Sequence, residues 1–229
     1  MIAFISLATD WTPGSAYAEQ YAQHAKPWIL RQPDAMPKTV LYWGNIMAGM
    51  NEGMDWATKQ WPDPPFEAIV FVHPDCEILD PLFTEKVRAY LKDPTVGMLG
   101  VIGSRGAASM EWWSAPELHG WIHHKEGQGG VYFDTGDHDV DIVDGCLFVL
   151  TPPMFDYRWP AKVYGDGHHG YEAEAATEAR RRGLRVVQID AEARHATVPK
   201  FAGGREAWDI ANGIFRSRWG PFLMSKGRR

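Results

Sequence analysis

Apolar positions along the chain fall into two spacings, and the alternation between them carries most of the predicted fold. Residues 2–8, 68–72, 97–102, 142–150 and 184–189 are short apolar runs bounded by Gly, Pro, Asp or Thr, which read as buried strands. Between them the spacing lengthens to the helical period. Ser15 is a ready N-cap for a helix through about His24, and residues 38–59 place Val40, Leu41, Ile46, Met47, Met50, Met54 and Ala57 roughly along one face of a first long helix. That helix is expected to stop at Pro62-Asp63-Pro64-Pro65. Asp80 and Pro81 suit the cap and first position of a helix to about Lys92. Residues 171–183 read as a helix stopped by Gly183, and residues 208–219 as an amphipathic helix. Two stretches fit neither spacing. Residues 27–37 hold three prolines and leave room only for a short strand at 28–31, while residues 110–136, dense in Trp, His and Gly, read as a long loop with a hairpin at 129–132. Strand and helix alternating in this way predict one α/β domain, with a mostly parallel central sheet flanked by helices.

Composition narrows the class without changing that picture. At 229 residues, 45% hydrophobic and 23% charged, the chain is long enough for a sizeable core and is no disordered polymer. No apolar run approaches the roughly 18 residues of a membrane span, and the N-terminus lacks the basic segment of a signal peptide. A cytoplasmic protein with no membrane span is therefore expected. Cys76 and Cys146 stand in unrelated contexts without metal-type spacing and are expected as free thiols. The net charge of −6 hides an asymmetry, because residues 200–229 carry seven basic and two acidic side chains, a local +5 on a body of −11. Such an end suits an anionic ligand or polyanionic partner, and equally a solvated tail.

Candidate chemistry concentrates where the run 68–72 ends in His73-Pro74-Asp75-Cys76-Glu77. In an open α/β sheet, ligands bind beyond the carboxyl ends of the strands, which puts His73, Asp75 and Glu77 where a cation or phosphate would sit. Asp75 can equally serve only to turn the chain after Pro74. Trp112, Trp113, Trp121, His119, His123 and His124 suit stacking on a sugar or base, or simply covering the core. The pair His123-His124 has no second pair at zinc-ligand spacing. The glycines of residues 97–106 match no phosphate-binding fingerprint.

Val70-Phe71-Val72-His73-Pro74-Asp75 resembles the strand and HxD or DxD element of nucleotide-sugar-dependent glycosyltransferases of the GT-A fold, in the broad family 2 group. Further pieces follow in the family's order, so that the resemblance spans about residues 45–222. Met50-Asn51-Glu52-Gly53 is similar to the helix motif before the DxD strand, and Asp144-Gly145 to the start of the strand lining the acceptor pocket. Tyr171-Glu172-Ala173-Glu174, running on to Gly183, resembles the ED-x-D helix, with Tyr-Glu-Ala-Glu where Glu-Asp-x-Asp is usual. Phe215-Arg216-Ser217-Arg218-Trp219-Gly220 resembles the C-terminal F-x-x-K-W-G segment. The resemblance implies a nucleotide-binding half at 1–110, a catalytic and acceptor half at 111–199, and a basic C-terminal helix and tail at 200–229. It implies Thr9 and Asp10 at the base and ribose, Asn51 near the nucleotide, and His73, which replaces the usual Asp, beside phosphate or ribose. Asp75 and His195 match the cation ligands, Glu172 the catalytic base, Glu174 the second acid, and Asp144 the acceptor side. By residue type alone, Thr9 and Asp10 are turn formers, and acids simply favour the first turn of a helix.

The activity so implied is inverting transfer of a sugar from a UDP- or GDP-sugar to an acceptor hydroxyl. A divalent cation, Mn²⁺ or Mg²⁺, would neutralise the departing diphosphate, and Glu172 would take the acceptor's proton. Imidazole beside oxygen ligands suits Mn²⁺. The expected acceptor is a glycan or small molecule, with a modified base in DNA as the variant that the basic end keeps open. Two other classes stay open: a metal-dependent hydrolase using the His-rich stretch, and a non-catalytic sugar- or nucleotide-binding protein in which His73 marks a decayed site.

Overall fold

A computed structural model describes residues 1–59, 65–124, 130–196 and 204–226, the last three by backbone alone. The first half of the chain builds β1 (Ile2–Ala8), α1 (Ala16–Gln23), α2 (Ala25–Ile29), β2 (Ala35–Leu41), α3 (Ile46–Lys59), β3 (Ala68–Val72), β4 (Cys76–Ile78), α4 (Phe83–Tyr90), β5 (Val96–Gly100) and β6 (Ile102–Arg105). The second half adds β7 (Glu117–His124), β8 (Gly130–Tyr132), β9 (His138–Val140), β10 (Ile142–Val143), β11 (Leu147–Leu150), α5 (Ala161–Tyr164), α6 (Tyr171–Arg181), β12 (Arg185–Gln188), β13 (Ala193–His195) and α7 (Gly204–Lys226).

The central sheet has seven strands in the order β2-β1-β3-β11-β5-β12-β9. Five of the seven run in one direction, and β11 and the edge strand β9 run against them, so the sheet is mixed and mostly parallel as expected. Helix α3 lies against β1 and β2, and α6 against β5 and β12. Every residue of β1, β3, β5 and β11 is buried, which is why these strands read as unbroken apolar runs. Burying Ile69, Val70, Phe71 and Val72 contributes roughly 6–12 kcal/mol as an upper bound, so the end of β3 is a firm place to mount a site.

A second sheet of six strands, ordered β10-β6-β7-β13-β4 with β8 paired to β7, stands at the carboxyl edge of the first. It begins where the chain leaves β3 and re-enters as β4. Among the described residues no helix is long and apolar enough to cross a membrane. Cys76 and Cys146 are both free and buried.

The structure corrects several expected elements. Residues 28–31 form no strand, since α2 ends at Ile29, and the strand of this region is Ala35–Leu41, where Pro37 is tolerated because β2 is the sheet edge. The first long helix starts at Ile46 rather than 38, because Val40 and Leu41 belong to β2 and the Tyr42 N–H still bonds the Ala8 carbonyl. Residues 110–136 are no long loop but include the eight-residue strand β7, with Ile122 and His124 toward the cleft, Trp121 bonded to Asp190 and His123 to Glu192. The expected hairpin is present as β7–β8, its residue 129 lying outside the described residues. Helix α7 runs beyond 219, through Pro221 to Lys226. Pro62 to Pro64, and Lys200, Arg228 and Arg229 of the basic end, lie outside the described residues.

Candidate active site

Long-range strand registers assemble the site. Strand β11 enters antiparallel beside β3 with Leu147 opposite Val72, so the turn 144–146 falls against His73, whose N–H donates to the Cys146 carbonyl at 2.9 Å. Strand β13 pairs antiparallel with β4, His195 opposite Cys76, and the Ala196 N–H donates to the Asp75 carbonyl at 2.8 Å. Two residues 120 positions apart in sequence thereby become neighbours. His195 Nε2 is 3.3 Å from Asp75 Oδ1 and 3.4 Å from His73 Nδ1. One ligand atom from each of the three lies within 4.8 Å of the others, a set able to hold a metal ion.

Tyr171 fixes the orientation of His73. Its hydroxyl sits 2.6 Å from His73 Nε2 and donates to the Gly145 carbonyl at 3.4 Å, so the hydrogen-bond network assigns the proton of His73 to Nε2 and leaves Nδ1 facing His195 and Asp75. Gly145 is required here, since a Cβ would come 2.5 Å from the Tyr171 hydroxyl. Burial and the neighbouring His195 push the His73 imidazole below its ordinary range, toward the neutral form. For His195, burial acts the same way, but the hydrogen bond and charge of Asp75, with Asp144 behind them, outweigh it and raise its proton affinity.

Helix α6 delivers the acids. Gly170, at φ 81, turns the chain in the left-handed region directly before the helix, and acids in the first turn with arginines in the last complement its dipole. Glu172 keeps some surface toward the cleft while its carboxyl lies deep. Burial, with the nearby charge of Asp144, raises it to about 8 against the help of its own backbone N–H. Asp144 is held at both oxygens, Oδ1 by the Cys146 N–H at 2.8 Å and Oδ2 by Trp112 Nε1 at 3.1 Å.

His73, Asp75, Asp144, Glu172 and His195 all line one cleft of about 1010 Å³. The other residues picked from sequence go elsewhere. Glu174 is 1% exposed and faces the seam with α7, where its Oε1 accepts from Tyr164 of α5 and from Arg218 and Trp219 of α7. Asn51 clamps the backbone of Trp159, accepting its N–H at 2.8 Å and donating to its carbonyl at 3.0 Å. Asp10 closes a turn on the Thr12 N–H, and neither it nor Thr9 lines the cleft. Glu77 points back to His24 and Arg194. Tyr171 escaped the sequence reading, although it stands between a left-handed glycine and Glu172. Tyr42 and His168, joined at 2.8 Å across 126 residues, line the cleft too and had no local signal.

No curated protein matches the chain by sequence. Among solved structures it is similar to A197 from STIV at 8% identity and TM-score 0.51, covering 86% of each chain. It is similar to the mannosyltransferase PcManGT from Pyrobaculum calidifontis, solved with GDP-Man and Mn²⁺, at 13% identity and TM-score 0.53, over 99% of this chain and 68% of that one. A third likeness is to residues 1–349 of TarS from S. aureus, in complex with UDP-GlcNAc, at 9% identity and TM-score 0.52, over 93% of this chain and 65% of that one. Identities this low speak for the fold. The sequence model of the glycosyltransferase like family matches residues 45–199, which hold β3, the turn 144–146, α6 and β13. The chain therefore belongs to the glycosyltransferase like family and is a glycosyltransferase of the GT-A fold.

Proposed function

We propose that the chain moves a sugar from a nucleotide-sugar donor to an acceptor hydroxyl with inversion, using a divalent cation at His73, Asp75 and His195 and Glu172 as general base. The observation that carries this reading is the convergence of those three donors at the end of β3, with a raised carboxyl in the same cleft. Two imidazole nitrogens and a carboxylate oxygen fit Mn²⁺ better than Mg²⁺, which prefers an oxygen shell. When bound, such an ion supplies charge neutralisation for the departing diphosphate. Tyr171 aims His73, and Asp75 with His195 completes the set. Glu172 accepts the acceptor's proton, and the fixed negative charge of Asp144 strengthens it as a base. A single base acting on the acceptor hydroxyl suits one in-line displacement.

In this reading residues 1–110 form the nucleotide-binding half and residues 111–199 the acceptor and catalytic half, which also lends His195 to the cation set. The nucleotide end falls to Tyr17 and Tyr42, which line the cleft beside β1 and α1, rather than to Thr9 and Asp10. GDP-Man in the mannosyltransferase and UDP-GlcNAc in TarS support a nucleotide-sugar donor here. Trp112, Trp113 and Trp208 form an aromatic wall suited to stacking on a glycan or small-molecule acceptor. A modified base in DNA is the alternative acceptor, and its binding would fall steeply with salt.

The test is incubation with a panel of UDP- and GDP-sugars and Mn²⁺, following release of nucleoside diphosphate. Release from one donor, lost with chelator and in Asp75→Ala, is expected. Donor binding without turnover anywhere in the panel would sink the catalytic reading. Parent-like metal and diphosphate binding by His195→Ala would remove His195 from the cation set.

A further inference from the structure

Away from the cleft, a second group of metal-type donors stands where the two sheets meet. His119 lies on β7 of the smaller sheet, His138 on β9 at the edge of the central sheet, and Asp134 between β8 and β9. His119 Nδ1 is 2.8 Å and His138 Nε2 3.2 Å from the same oxygen, Asp134 Oδ2, and the three ligand atoms lie within 4.8 Å of one another. Tetrahedral zinc, with bonds of roughly 2.0–2.2 Å, spaces its ligand atoms roughly 3.3–3.6 Å apart, so only a small opening of this group admits the ion. The two rings are stacked at 4.1 Å, and one must turn about its Cβ–Cγ bond to aim a lone pair at a shared ion. Both side chains are only partly buried.

Two further features distinguish the group from a chance encounter of polar side chains. Asp134 Oδ1 accepts the Gly120 N–H at 2.8 Å, which locks the carboxylate and turns Oδ2 toward the imidazoles. Glu117 Oε2 stands 3.9 Å from His119 Nε2, the nitrogen facing away from Asp134, where a ligating histidine commonly has a carboxylate partner. Burial works against the Asp134 charge, but the Gly120 N–H and the two imidazoles outweigh it and hold the carboxyl below its usual range.

We propose that His119, Asp134 and His138 form a second, structural site for a divalent transition ion such as zinc, tying β7 of the smaller sheet to edge strand β9 of the central one. The tie lies at the far end of β7 from Ile122 and His124, so it steadies a strand whose other end walls the cleft. An ion that binds only the folded chain raises its stability with ion concentration.

The test uses the full chain, stripped with a chelator, and zinc chloride as the probe. In a His195→Ala background, which removes one donor of the cleft set, the chain should take up about one zinc and melt at a higher temperature with zinc than without. Adding His138→Gln should weaken that uptake at least about tenfold and abolish the melting shift. Equal uptake and an equal shift with and without His138→Gln overturn the proposal. As a check independent of any variant's folding, anomalous scattering at the zinc edge is recorded from crystals of the parent protein grown with zinc. A peak among His119 Nδ1, Asp134 Oδ2 and His138 Nε2 supports the site, and a peak in the cleft alone overturns it.

Discussion

Glu172 and Glu174 stand two residues apart in the first turn of α6, one turned to the cleft and the other into the seam with α7. Both are carboxyls taken out of water, and their surroundings differ in donors. Glu174 meets a tyrosine hydroxyl, an arginine and an indole N–H on one oxygen, which fixes its position. Among the described residues Glu172 has no such set, and burial, with the neighbouring charge of Asp144, raises its carboxyl to about 8. Donors make a buried acid a fastening between elements; withholding them makes it a proton acceptor of useful strength at neutral pH. The pair teaches that, of two acids two residues apart, the packing around α7 decides which one is tied into the seam and which one is left at the cleft.

Exchanging the acids one at a time is the most direct way to break this contrast. Glu172→Gln keeps shape and should lower turnover roughly 10²–10⁴-fold with donor affinity preserved, measured by steady-state kinetics beside calorimetric titration of the diphosphate. Parent-like turnover would move the base to Asp144. Glu174→Ala should do the reverse, lowering stability by about 3 kcal/mol in denaturant titration while the folded fraction keeps turnover within a few-fold. The figure is at the lower end for a broken buried pair because Arg218 retains a path to water. Loss of turnover in fully folded Glu174→Ala would erase the distinction between the two acids.

Asn51→Ala sharpens the comparison from outside α6. Its amide ties α3 to the Trp159 backbone, so the expected loss is about 1–3 kcal/mol of stability, with donor affinity unchanged. A selective fall in nucleotide affinity would return Asn51 to the site. The acid in the cleft should also show itself in pH dependence. A carboxyl whose folded value is raised adds stability that is fully present below its ordinary value of 4.5 and is lost as pH climbs toward about 8. Glu172→Gln removes that slope, so its melting temperature relative to the parent should be higher at pH 8 than at pH 5. An identical difference at both pH values would mean that Glu172 is charged in the folded state throughout. Turnover by the parent should rise with pH across the same window as the base loses its proton.

Much of the architecture was legible because the strands that matter most are buried on both faces. β3, β11 and β12 announce themselves as apolar runs, and α6 ends where Gly183 adopts φ 79. Strand β7 was hidden because its alternating positions are filled by His, Trp and Gly instead of a clean apolar and polar pair, and β2 because Pro37 looked like a breaker. In the site, His73 and Asp75 follow from a strand end, whereas the roles of Glu172 and His195 came from family resemblance. The arrangement that brings them together lies in two registers, Leu147 on Val72 and His195 on Cys76, and a register between distant strands has no local signature. Tyr171 was passed over for the same reason, since its partners are 98 and 26 residues away.

The reversed strand β11 has a consequence for how the molecule comes into being. It lies between β3 and β5, so until residues 147–150 arrive, the strands on its two sides share no edge. Pairings of such sequence separation close late and slowly, since chain entropy must be given up before they are rewarded. The cleft needs more still, because α6 and β13 follow β11 in the chain. A chain emerging from the ribosome can therefore bring His195 beside His73 and Asp75 only after residue 195 has left the exit.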